Sequence, residues 1–398
     1  MTASKTFCIL PWTSLATNAS GNLRVCCNVI PGKGFICKPN KLEDNGGKTE
    51  TYNPYKIWRD DMLEAWNSET YRTLRKQMLE GERPEMCARC FKEEDAGISS
   101  ARERWNQQID PDKEYTVDAP FDIKYVDIRL SNLCNLKCRM CNPYASNMWV
   151  KEWASVNDAL QPHEYQRLSK MDWPEKEKTW ENLFGIAHTV EEIYLTGGEP
   201  TVIKEQIKLL DYFIDNGTAK GIRLKYNTNL VKVPDWLLDK WQHFKTVKLN
   251  CSIDAVGELD RYIRHPSKWE VIQRNFDRIR QLPNGSIEIH CTVQMYNILR
   301  LHELIAWAKP YNHKIFFNIL NHPEYLNIQC LPDKLKHQAE QSLQPYLDIP
   351  RAQSVIDYMW ADSFTERLPQ FYKYTHTLDK SRDEDLYSIV PEFKEYVQ

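Results

Sequence analysis

The stretch SNLCNLKCRMCNP, residues 131–143, sets three cysteines, Cys134, Cys138 and Cys141, in a C-x3-C-x2-C loop. It follows directly on DIKYVDIRL (122–130), which reads as a strand. Three thiolates in so tight a loop can hold three irons of a 4Fe–4S cube and leave the fourth iron without a protein ligand. Zinc is the competing metal, although a structural zinc normally takes four protein ligands and the fourth is missing locally.

Working outward, further strand-like segments follow at 191–197, 222–228, 246–253, 286–293 and 313–319. Helix-like stretches such as IKEQIKLLDYFIDN, WEVIQRNFDRIRQL and LRLHELIAWAK lie between most of them. Strands alternating with amphipathic helices argue for βα units and a parallel sheet. Six such units with right-handed crossovers predict an α/β fold, a partial (β/α)6 TIM-like barrel over residues 121–330. Barrels carry their chemistry at the C-terminal ends of the strands, where the cysteine loop lies. The next strand ends in LTGGEP (195–200), whose Gly197 and Gly198 allow close backbone approach and whose Glu199 offers a carboxylate. The first crossover, 142–190, is long, and its Trp149, Trp153, Trp173 and Trp180 are expected in the core. Residues 331–398 read as a helical, aromatic-rich C-terminal extension. In front, residues 1–120 read as short elements and loops with one helix over about 54–81.

Composition narrows the function classes. The chain has 398 residues, 42% hydrophobic and 27% charged, with 52 basic and 55 acidic side chains and a net charge of −3. That balance is globular and gives no general attraction to nucleic acid or anionic lipid. No apolar run approaches the ~18 residues of a membrane span. The opening MTASKTFCILPW lacks the features of a signal peptide, so the expected compartment is the cytoplasm. There, clustered cysteines usually mean metal or redox chemistry. Nine of the twelve precede residue 142, and only Cys251, Cys291 and Cys330 are scattered beyond it.

The cysteine triplet followed by Gly197-Gly198-Glu199-Pro200 resembles the radical S-adenosylmethionine (SAM) superfamily over about residues 122–330. In that family the open iron chelates the amino and carboxylate groups of SAM, whose reductive cleavage gives a 5′-deoxyadenosyl radical. The resemblance implies that Gly197, Gly198, Glu199 and Pro200 meet the SAM amino group. It implies ribose contacts near Asn229, Ser252 and Asp254, a carboxylate contact at Arg264 and an adenine contact at Val293. Met140 stands where many members carry an aromatic residue, and a Met packs against adenine as well.

The remaining cysteines form a second pattern. Cys8, Gly21 and Cys26 read C-x12-G-x4-C, and Cys87 with Cys90 adds C-x2-C. Four thiolates close a site completely, as an auxiliary 4Fe–4S cluster or a structural zinc requires. The pattern resembles a twitch/SPASM-type auxiliary-cluster module, here in front of the barrel. Cys27 is the alternative to Cys26, and Cys37 is a spare thiol. GGKT (46–49) lacks the earlier Gly of a phosphate loop and reads as a surface turn.

The resemblance therefore implies a radical SAM enzyme with two clusters, acting on a peptide or a small molecule such as a carbohydrate. A flavodoxin- or ferredoxin-like protein would supply the electron. The competing class is a zinc- or cluster-binding interaction protein without radical turnover. No catalytic acid, base or hydrogen donor is assigned. Tyr226, Glu288 and His290 are strand residues whose facing depends on register.

Overall fold

The computed structural model describes residues 4–29, 34–38, 53–95, 99–110 and 112–396. Two short strands, β1 (Ser14–Thr17) and β2 (Leu23–Arg24), precede the six expected ones. These are β3 (Tyr125–Arg129), β4 (Glu192–Thr196), β5 (Arg223–Thr228), β6 (Thr246–Ser252), β7 (Gly285–Val293) and β8 (Lys314–Ile319). The sheet order is β2-β1-β3-β4-β5-β6-β7-β8. From β3 to β8 every neighbouring pair is parallel, and the connections carry the helices Glu177–Ile186, Gln206–Asp215, Asp235–Trp241, Trp269–Ile279 and Leu301–Ala308. This is the six-unit parallel α/β arrangement that the alternating pattern predicts.

The cysteine-rich N-terminal region joins this sheet directly. β1 is fully buried and pairs parallel to β3, with Ser14 opposite Tyr125 and Ala16 opposite Asp127, and β2 returns antiparallel to β1. The Thr17 hydroxyl accepts the Arg129 amide at 3.0 Å and carries the pairing to the end of β3. The chain that bears Cys26 and Cys27 is thereby tied to the strand that feeds the cysteine loop.

Residues expected as one helix over 54–81 form two, Met62–Trp66 and Glu69–Leu79. Ser68 is extended between them, and the Asp61 side chain caps the first by accepting the Glu64 amide. Before Met62 the Asp60 carboxylate accepts the Lys56 amide at 2.8 Å, a local turn in place of a helical one. GGKT (46–49) lies outside the described residues.

Alternation along the strands gives the sheet two unlike faces. Leu195, Leu224, Tyr226, Leu249, Cys251, Ile289 and Cys291 are buried on the helix-covered face. On the other face register aligns Tyr194, Lys225 and Lys248, and beyond them Asn227, Asn250 and Glu288. Glu288 and His290 therefore share the face of Asn250 and Ser252. Lys248 pairs with Glu288 at 2.9 Å. Tyr226 points the other way and donates to Gln206 Oε1 at 2.9 Å.

The crossover tryptophans are packing residues, as expected. Trp149 is fully buried and donates from Nε1 to the Cys138 carbonyl at 3.0 Å, and Trp173 donates to the Ala19 carbonyl at 2.7 Å. The C-terminal residues form the helices Asp333–Leu343, Ala352–Ala361, Leu368–Arg382 and Leu386–Ile389. They reach back to the cysteine loop. Arg139, buried between Cys138 and Met140, pairs with Asp379 and with Glu384 (2.7 Å), and the Tyr374 hydroxyl donates to the Arg139 carbonyl at 2.6 Å. Arg382 pairs with Glu152 at 3.0 Å, and Lys137 meets the same carboxylate at 2.8 Å. No helix among the described residues is long and apolar enough to cross a membrane.

Candidate active site

A cavity of about 420 Å³ opens at the C-terminal ends of β3 to β6. Cys134, Cys138 and Cys141 line it together with Gly197, Gly198 and Glu199. Asn229, Ser252 and Arg264 complete that side, and Arg129, Tyr194, Thr196 and Asn227 form the side toward the sheet. Cys27, Asn28 and Arg89 reach the same space from the N-terminal region.

The two sequence motifs meet backbone to backbone. Gly197 has φ +123°, and a Cβ there would lie 2.7 Å from the Ser131 carbonyl oxygen. A Cβ on Gly198 would lie 2.1 Å from the Leu133 carbonyl oxygen. Only glycines let this loop close on the cysteine loop. The Glu199 carboxylate is fully engaged: Oε1 accepts the Thr201 amide (3.1 Å) and hydroxyl (2.6 Å), and Oε2 accepts the Asn229 amide (2.7 Å). It fastens the end of β4 to the end of β5. Asn229 in turn donates to Asn135 Oδ1 at 2.8 Å, inside the cysteine loop.

Burial pushes each thiol of the triplet up to about 12, and each also feels the charge of another member. Arg264 acts in the opposite sense on Cys138 and Cys141 and favours their thiolates. Asp254 does not line the cavity. It is wholly buried, pairs with Arg264 at 2.8 Å and accepts the Thr292 amide at 2.6 Å, so it holds Arg264 in place. Val293 and Pro200 are buried beside the site and do not line it either.

The second cysteine set is also drawn together. Cys8 interacts with Cys87 and Cys90, Cys26 with Cys27, Cys8 and Cys90, and Cys87 with Cys26 and Cys90. Burial raises all four thiols, Cys8 to about 12. Arg102 stands beside Cys8, Cys87 and Cys90. It is fixed by Glu94 and by the Phe7 carbonyl at 2.6 Å. Cys27 has different charged neighbours, Asp127, Arg129 and Arg24, and Cys37 sits apart beside the Phe35 carbonyl.

Both sets suit clusters. Each consists of buried or half-buried soft thiols with a buried guanidinium to offset thiolate charge. Among the described residues no three His, Cys, Asp or Glu side chains converge closely enough for a single metal ion. A cube places each thiolate on its own iron and so accepts a wider spacing.

The comparisons agree with this division. Residues 128–300 match the model of the radical SAM superfamily, and residues 8–91 match SPASM, an iron–sulfur cluster-binding domain. The chain thus carries a radical SAM domain over residues 128–300, with a SPASM domain in front of it. These domains imply a 4Fe–4S cluster with SAM in the one and an auxiliary iron–sulfur cluster in the other.

Among curated relatives, GTP 3′,8-cyclase of Haemophilus ducreyi is 24% identical over 202 residues, 48% of this chain and 51% of its own. Molybdenum cofactor biosynthesis protein 1 of Dictyostelium discoideum is 24% identical over 294 residues, 72% of this chain and 40% of its own. The chain thus spans about half the length, or less, of these relatives. Among solved structures, Streptococcus suis SuiB bound to precursor peptide SuiA aligns at 12% identity and TM-score 0.36, covering 86% of this chain and 70% of that one. Native anSMEcpe with bound AdoMet and Cp18Cys peptide aligns at 14% identity and TM-score 0.35, covering 54% and 56%.

Proposed function

We propose that the protein is a radical SAM enzyme that takes a hydrogen atom from a polar substrate, a peptide or a small molecule. The observation that carries this reading is the single cavity that gathers the three-cysteine loop, the Gly197-Gly198-Glu199 loop and the cluster of Asn229, Ser252 and Arg264. Cys134, Cys138 and Cys141 would hold three irons of the SAM cluster, and Cys8, Cys26, Cys87 and Cys90 would hold the auxiliary one. When bound, the first cluster and SAM supply reductive cleavage to methionine and a 5′-deoxyadenosyl radical.

The chain's own residues do the rest. Backbone groups around Gly197 and Gly198 offer the SAM amino group a surface that no side chain blocks. Arg264, held by Asp254, presents a guanidinium for the SAM carboxylate. Asn229 and Ser252 stand at the ends of β5 and β6, where a ribose finds hydroxyl and amide partners. The substrate would occupy the polar face of Arg129, Tyr194, Lys225, Asn227 and Glu288. Such a face orients a polar molecule while the surrounding protein limits water near the radical. A flavodoxin- or ferredoxin-like donor in the cytoplasm would supply the electron.

The test is anaerobic reconstitution with iron and sulfide, reduction by dithionite and chromatographic detection of 5′-deoxyadenosine. The wild type should form it, and Cys134→Ala, Cys138→Ala and Cys141→Ala should not. A protein that binds metal but leaves SAM intact is an interaction module and not this enzyme.

A further inference from the structure

Cys26 and Cys27 are adjacent in sequence but serve different spaces. Cys26 feels its neighbour Cys27 and also interacts with Cys8, Cys87 and Cys90, whereas Cys27 lines the cavity that holds the SAM-cluster cysteines. A lone thiol is no site, but the cavity around this one holds unsatisfied polar groups. Thr196 lines it at 7% exposure, and its buried hydroxyl has no partner. Arg129 also lines it with an unpartnered Nε. Beneath them Asp127, 1% exposed, faces Cys27 and takes its thiol as a hydrogen-bond partner. Buried polar atoms without partners mark a place where a bound molecule supplies the missing contacts. The unsatisfied hydroxyl and guanidinium thus point to a polar ligand lying against Cys27.

Resting on the radical reading above, we infer that Cys27 is a catalytic residue, the hydrogen-atom donor to carbon radicals formed in this cavity. An S–H bond is weaker than an alkyl C–H bond, so transfer from the thiol to a carbon radical runs downhill. The C–H bond forms, the S–H bond breaks and the unpaired electron moves to sulfur. The thiyl then takes one electron from a low-potential reductant and one proton, which restores the thiol. In the cell that reductant would be the flavodoxin- or ferredoxin-like donor, and the preceding residue, Cys26, would help to hold the auxiliary cluster. In the assay it is dithionite. A substrate radical quenched this way regains its hydrogen, so the reaction class is inversion or rearrangement of a polar substrate and not its dehydrogenation.

The test uses reconstituted holoprotein with SAM alone, in D2O, where the thiol exchanges to S–D. The 5′-deoxyadenosyl radical is itself the probe, and the deuterium fraction in the 5′-deoxyadenosine is read by mass spectrometry. Deuterium should enter with the wild type and with Cys37→Ser, and its fraction should fall at least fivefold with Cys27→Ser. Equal fractions in wild type and Cys27→Ser overturn the assignment. Absence of 5′-deoxyadenosine from the wild type overturns the radical reading, and the role of Cys27 with it. Iron content gives an independent readout. Cys27→Ser should keep the wild-type iron while Cys26→Ser loses about half, and iron loss in Cys27→Ser would make Cys27 a ligand and overturn the proposal. Anaerobic N-ethylmaleimide should label Cys27 in the holoprotein, and S-adenosylhomocysteine should slow that labelling. Labelling unaffected by it would place the thiol outside the SAM cavity and overturn the proposal too.

Discussion

The Glu199 amide donates to the Leu133 carbonyl at 2.8 Å, which laces the loop after β4 onto the cysteine loop. Gly198 makes the parallel contact, donating to the Ser131 carbonyl at 3.0 Å. The glycines thus serve the cluster loop first and any bound cofactor through it. Gly198→Ala drives a Cβ into the Leu133 backbone, which has no flexible end to yield. We expect about 1–3 kcal/mol of destabilisation and loss of about half of the iron, read by urea midpoint and iron assay. Wild-type iron in this variant would separate the two loops functionally.

Arg139 fixes the same loop from below through Asp379 and Glu384. Burial alone would raise the Glu384 carboxyl, but the His265 hydrogen bond and Arg139 together hold it below the ordinary range. Arg139→Ala takes the buried cation from two carboxylates, leaving Glu384 with His265 and Asp379 with Tyr262 and the Leu386 amide, and should cost about 3–5 kcal/mol. Chemical denaturation measures this, and a cost below about 1 kcal/mol would show that the C-terminal helices do not support the loop.

Glu152 makes stability depend on pH. Burial would raise its carboxyl, but hydrogen bonds from Arg382, Lys137 and Ser381 outweigh burial and set it at about 2. A depressed carboxylate adds stability that is complete above its unfolded value of about 4.3 and fades as pH falls toward the folded value. The stability difference between wild type and Glu152→Gln should therefore hold from pH 7 to about 5 and shrink by about 2–3 kcal/mol toward pH 2. Urea midpoints at several pH values give the curve. A difference that grows on acidification would reverse the assigned sign.

The auxiliary set is tested by metal content. Reconstituted wild type should carry about eight irons and Cys87→Ala about four. Unchanged iron in Cys87→Ala would remove Cys87 from the ligand set.

The features legible in the sequence were those with local signatures. The triplet, the GGEP turn and six β/α units announce themselves by spacing and period, so the fold class and the place of the cysteine loop at a strand end are legible in the sequence. The joining of β1 to β3 was not legible, because four residues of SLAT flanked by turn residues carry no alternation long enough to read. Nor was the pairing of Arg139 with Asp379, which are 240 positions apart. The resemblance puts Asp254 near a ribose, and its 2.8 Å pairing with Arg264 is a tertiary contact that no local spacing announces. The separate settings of Cys26 and Cys27 depend on a backbone turn that composition does not encode.

The central claim is a SAM-binding cluster held at three corners by Cys134, Cys138 and Cys141. Its most direct test is electron paramagnetic resonance of the reconstituted Cys87→Ala/Cys90→Ala protein, reduced with dithionite, before and after SAM. The account predicts a reduced-cluster signal whose g-values shift on adding SAM, because SAM occupies the open iron. A protein with no such signal, or one whose signal ignores SAM, would contradict it.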